Sequence, residues 1–96
     1  MTNIYILDGH QPKLIDDFEV WAHWFETTNR TVAKTQVGKL SVSTVFLGFD
    51  HNFPGGKPKL FETMIFGKDN DYQERYSTWD EAVAGHKLAV ILAGEI

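Results

Sequence analysis

The sequence predicts an α+β domain built on a mainly antiparallel sheet, with elements in the order β-α-β-β-β-α and two helices packed on the sheet. Three observations carry that expectation. Apolar residues recur at helical spacing near each end of the chain, each time beside a capping signature. Between them lie runs that alternate with the period of a strand. A tight Gly-Lys connection joins two of these runs as a hairpin would. Ninety-six residues, 43% hydrophobic and 14% aromatic, make one domain spanning residues 1–96 around a single core.

The elements follow in chain order. NIYILD (3–8) is an apolar run stopped by Asp8-Gly9, a strand and its turn. Pro12 leads into LIDDFEVWAHWFETTN, where Asp16 and Glu19 have the form of a capping box. Leu14, Phe18, Trp21, Ala22 and Phe25 recur as a buried helical face, with Val20 and Trp24 on a second stripe. RTVAKTQV (30–37) alternates as a strand and turns at Gly38-Lys39 into LSVSTVFLGF. There Leu40, Val42 and Phe46 lie on one side, Val45, Leu47 and Phe49 on the other. KLFETMIFG repeats the pattern, with Leu60, Met64 and Phe66 opposite Phe61 and Ile65. Strands apolar on both faces are covered twice. Two helices cover one face, so the other calls for a further layer, a second subunit or a partner. After a polar connection, Thr78 and Glu81 form a second capping box, opening a helix whose stripe is Trp79, Val83, His86, Val90 and Ala93. Gly85 costs that helix about 1 kcal/mol relative to Ala, which points to close packing or a bend.

The net charge of −4 is unevenly spread. Residues 1–28 hold five acids and one base, residues 29–60 five bases and one acid, and residues 61–96 seven acids and three bases. The basic centre either pairs with its own acidic flanks or meets an acidic partner. With no cysteine there is no disulfide framework and no thiolate zinc site. No apolar run approaches the length of a membrane span, and the N-terminus lacks a basic secretory n-region, so an intracellular protein is the simplest reading.

Glu62 stands out, because its parity places a carboxylate among Leu60, Met64 and Phe66. An unpaired buried carboxylate holds its proton more tightly and becomes useful for acid-base work. His51, Arg30 or Lys34 could pair with it, and a structural ion pair is the competing reading. His86, on an apolar helical face, is either a satisfied core histidine or, if it meets Glu62, the second half of an acid-base pair. Asp8, His10, Asp50 and His51 offer carboxylate and imidazole ligands, but no HExxH or paired-cysteine spacing supports a metal site, and both aspartates suit turn capping. The nine-residue loop DHNFPGGKP (50–58) exceeds an ordinary hairpin connection and presents Phe53 near its tip. Its Gly-Gly-Lys lacks the frame of a P-loop, and DNDYQE (69–74) lacks the glycine and distal glutamate of a calcium loop.

The blocks VSTVFLGFDHNF (42–53), LFETMIFG (60–67) and RYSTWDEAVAGH (75–86) resemble a small family of proteins encoded in bacteriophage and prophage genomes, and YILDGHQP and WAHWFE are similar too. No reaction is assigned to that family. The resemblance implies a phage accessory protein in the host cytoplasm, a setting that favours small modules which bind host machinery. The leading expectation is therefore a non-enzymatic binding protein for a host protein or small ligand, also self-associating, through the second sheet face. Its contacts would come from His51, Phe53 and Lys57 on the long loop and from Trp24 as an aromatic anchor. A small metal-dependent or acid-base hydrolase using Glu62, His51, Asp50 and His86 is the alternative. A third reading is a nucleotide-ligand sequestering protein, with Arg30, Lys34 and Lys57 meeting phosphates. No cofactor is expected, nor membrane or nucleic acid as a partner.

Overall fold

The computed structural model describes residues 3–50, 56–68 and 71–96. The elements are β1 (Ile4–Asp8), β2 (Gln11–Ile15), α1 (Phe18–Thr27), β3 (Thr31–Val37), β4 (Leu40–Phe46), β5 (Phe61–Phe66), β6 (Gln73–Tyr76) and α2 (Trp79–Gly94). The fold is α+β with antiparallel sheets. β1 and β2 form a hairpin, while β3-β4-β5-β6 is a four-stranded meander in chain order. No helix among the described residues is long and apolar enough to cross a membrane.

Two strands are additional to the expected order. β2 occupies QPKLI, a stretch that by its sequence reads as the approach to the first helix. Its proline is tolerated because β2 pairs on one side only, with β1. Leu14 therefore belongs to a strand and is 59% exposed, not part of a buried helical face. The α1 cap moves one residue on: Asp17 Oδ1 accepts from the Val20 amide at 3.1 Å. β6 is polar and at an edge, and its outward residues gave no apolar alternation to read. The α2 capping box stands as expected, with Thr78 Oγ1 accepting from Glu81 N and Glu81 Oε1 from Thr78 N, both at 3.1 Å. The Ser77 amide also donates to Glu81 and, with those of Thr78, holds its carboxyl below the usual range, aided by Lys57.

The core lies on one face of the meander. Along β4 the residues Leu40, Val42, Thr44 and Phe46 are buried, and each neighbour between them is only half-buried. Phe61, Thr63 and Ile65 of β5 stand beside them. α2 packs on this face through Ala82, His86, Ala89 and Ala93. Gly85 is where the helix comes closest, since a Cβ there would overlap the Tyr76 ring. α1 reaches the same face through Trp24, whose ring meets Phe46 edge-on at 5.8 Å. The opposite face carries Lys34, Gln36, Ser41, Ser43, Val45, Glu62, Met64 and Phe66, with Phe66 half exposed. Among the described residues this face is mixed, with Glu62 buried, Val45 and Met64 half-buried and Phe66 half exposed, so the two faces of these strands are not equally apolar or equally covered. The alternation stops at Gly48, whose φ of +83° turns the chain so that Phe49 meets Trp21 instead of extending that face.

Candidate functional site

The polar candidates do not converge. His86 is buried between α2 and the sheet, its Nε2 2.9 Å from Thr35 Oγ1 and its Nδ1 2.7 Å from Thr44 Oγ1. Thr44 Oγ1 in turn lies 2.6 Å from Thr63 Oγ1. Burial lowers the His86 pKa, favouring a neutral ring with one nitrogen donating and the other accepting. Glu62 follows the opposite parity from Thr63, so it faces away from His86 and no acid-base pair forms. Its Oε2 accepts from Arg75 Nε at 2.9 Å and Gln73 Nε2 at 2.6 Å, a cross-strand ion pair between β5 and β6. Both groups are satisfied by their own chain.

The remaining candidates are held elsewhere. Arg30 donates through Nη1 to Phe46 O at 2.7 Å and lies 3.8 Å from the Phe25 ring centroid, a clamp between α1 and β4. Lys34 is exposed on the face away from α2, and Lys57 acts on Glu81. Arg30 and Lys57 thus each serve contacts within their own chain. Trp24 is packed into the core, so it is no exposed anchor. Asp50 Oδ1 accepts from Lys59 N at 3.0 Å, which ties together the two ends of the long connection between β4 and β5 and is not a local turn cap. His10 stacks flat on Trp79, ring centroids 3.7 Å apart, joining the β1–β2 turn to α2, and Asp8 is exposed nearby. Among the described residues no three His, Cys, Asp or Glu side chains could hold a metal ion. His51 and Phe53 lie outside the described residues.

What the fold does assemble is an apolar groove at the other end of the molecule. β1 is stitched to the chain after β4, with Tyr5 N donating to Gly48 O at 2.8 Å and Asp50 N to Asn3 O at 3.3 Å. α1 is tied to both by Trp21, whose Nε1 donates to Tyr5 O at 3.1 Å and Gly48 O at 3.0 Å. Gly48 has to be glycine on two counts, its positive φ and the Phe25 ring that would stand 3.2 Å from a Cβ. Beside this junction, Ile4, Leu14, Ile15, Phe18, Trp21 and Phe49 line a groove of about 530 Å³, with Asp16 and Asn3 at its edge. That size suits a small ligand or a few peptide side chains. Leu14 and Phe18 keep 59% and 65% of their surface exposed at its mouth.

Sequence reasoning missed this groove because it placed Leu14 and Phe18 on one helix. The available signal was Pro12, which can end one extended segment before an acidic cap opens the helix. No family model matches the chain, and no curated protein or solved structure matches it.

Proposed function

We propose that the chain is a non-enzymatic binding module that seats an apolar side chain from a basic segment of a partner protein. The observation that carries this reading is the groove between β2, α1 and residues 47–50, where two large apolar side chains stay exposed beside a rigid aromatic floor. Contiguous apolar surface of this kind marks recognition sites. The partner's charge follows from the surroundings. Residues 1–28 carry five acids against one base, Asp16 lines the groove, and Asp17 and Glu19 follow as the cap and first turn of α1. Basic flanks on the incoming segment are drawn to that field. The reading accords with the phage accessory role that the resemblance implies, the partner being a host protein in the host cytoplasm. Catalysis has no comparable support, since Glu62 and His86 are engaged on opposite faces of the sheet.

A synthetic peptide with one phenylalanine between lysines tests it, titrated into nitrogen-15-labelled protein. Saturable amide shifts are expected at Ile15, Phe18 and Trp21. They should vanish when serine replaces the phenylalanine, and weaken when glutamates replace the lysines. Absence of saturable shifts at millimolar peptide would sink the proposal.

A further inference from the structure

Helix α2 buries three alanines on the sheet while leaving two large apolar side chains exposed. Ala82, Ala89 and Ala93 are buried with His86 against the sheet, whereas Leu88 and Ile91 are 53% and 60% exposed on the outer side. Exposed Ala84, Leu88, Ile91 and Glu95 succeed one another at spacings of four, three and four residues. That is the spacing of a seam between two paired helices. A helix apolar all round is ordinarily covered on every side, yet Leu88 and Ile91 on this stripe each keep more than half of their surface exposed.

We infer that the stripe pairs with the same stripe of a second copy, the two α2 helices running antiparallel about a two-fold axis between Leu88 and Ile91. Charge selects both the occupant and the direction. Lys87 is exposed beside the seam and Glu95 closes the seam's C-terminal end, and neither makes an ion pair among the described residues. An antiparallel pair brings Lys87 of each copy toward Glu95 of the other, while a parallel pair would set like charges together. The same axis places Leu88 of one copy against Ile91 of the other, and sets small Ala84 opposite Glu95. The pairing is isologous, as a two-fold contact requires. With a seam of only three turns, the association is weak and concentration-dependent. It is independent of the groove, which β2 and α1 form away from α2, and a dimer would present two grooves to a multivalent partner.

Sedimentation equilibrium from micromolar to millimolar protein tests the inference, with circular dichroism confirming the fold of each variant. A monomer–dimer equilibrium is expected. Leu88→Ser and Ile91→Ser should abolish it without unfolding, since both side chains are exposed. Lys87→Glu and Glu95→Lys should each weaken it about three- to tenfold, and the double exchange should restore it. A monomer at every concentration overturns the inference and leaves the stripe to a foreign helix. So does a dimer indifferent to Leu88→Ser, or one that the double exchange fails to restore.

Discussion

The two helices are patterned and buried in opposite ways. α1 has a sharply divided apolar side rich in aromatic rings, yet none of its residues is buried. α2 is apolar nearly all round, yet it buries four residues, three of them alanines. The difference teaches that closeness of approach, more than sharpness of patterning, decides how deeply a helix seats. Alanines and Gly85 let the α2 backbone settle onto the sheet, with Tyr76 filling the space a side chain would have taken. Trp21, Trp24 and Phe25 hold α1 at ring distance, and the groove opens beside Trp21 and Phe18.

The largest effect is expected where the two helices share a residue. Phe46 is fully buried in one cluster with Ala82 of α2, and Trp24 of α1 and Trp79 of α2 pack against that cluster. Phe46→Ala should cost about 3–5 kcal/mol in urea unfolding, much of the stability of a domain this size. A loss under about 1 kcal/mol would mean that α1 and α2 do not share a core. Gly85→Ala comes next. Alanine is the better helix former by about 1 kcal/mol, but its methyl would enter the Tyr76 ring, so a net loss of about 1–3 kcal/mol is expected. Gly94→Ala has open space around it and serves as the matched control, neutral or slightly stabilising. Equal effects at the two glycines would refute close approach as the reason α2 seats deeply.

His86 adds a pH dependence to the contact between α2 and the sheet. Its folded pKa is lowered by burial from an ordinary 6.5, so between those values the unfolded chain binds more protons than the folded one. This contribution is fully present above about pH 6.5 and is lost as pH falls below it toward the folded value. The slope is at most about 1.4 kcal/mol per pH unit. Urea unfolding of wild type and His86→Gln at a series of pH values isolates it, the variant being flatter across that window. Identical slopes would show that His86 protonates as readily in the folded protein.

How far the sequence could be read follows the same contrast. The Thr78–Glu81 box is local and polar, so it identified the start of α2 correctly. The β3–β4 hairpin followed from Gly38 and from alternation. The faces of β4 were misjudged because Val45, Leu47 and Phe49 share parity on an ideal strand, whereas the strand ends at Phe46 and Gly48 redirects the chain beyond it. The stripe of α2 was read in part: His86 and Ala93 are buried and Trp79 and Val90 pack against the core, but Ala82 and Ala89 were not picked out. A helix apolar on every side has no preferred direction in its pattern, and only the sheet it meets shows that alanines face inward. Glu62 was legible as an anomaly, but its partners were not, because Gln73 and Arg75 belong to an edge strand whose polar residues resemble a loop.

The smallest effect on stability should come from the exposed rim of α1, and it sharpens the comparison most. Phe18 leaves 65% of its surface in water, so Phe18→Ser should shift unfolding by no more than about 0.5 kcal/mol. Trp21, one turn along, differs in kind: its indole nitrogen holds Tyr5 O and Gly48 O, and Trp21→Phe should cost about 1–2 kcal/mol by leaving those carbonyls unserved. The two aromatics thus divide the groove into a floor that supports the fold and a lip that is free to act. Phe18→Ser should accordingly keep its thermal midpoint while losing the lysine-flanked peptide's amide shifts. If Phe18→Ser instead unfolds with Trp21→Phe, the lip is part of the core, and α1 is a second structural helix with no recognition surface of its own.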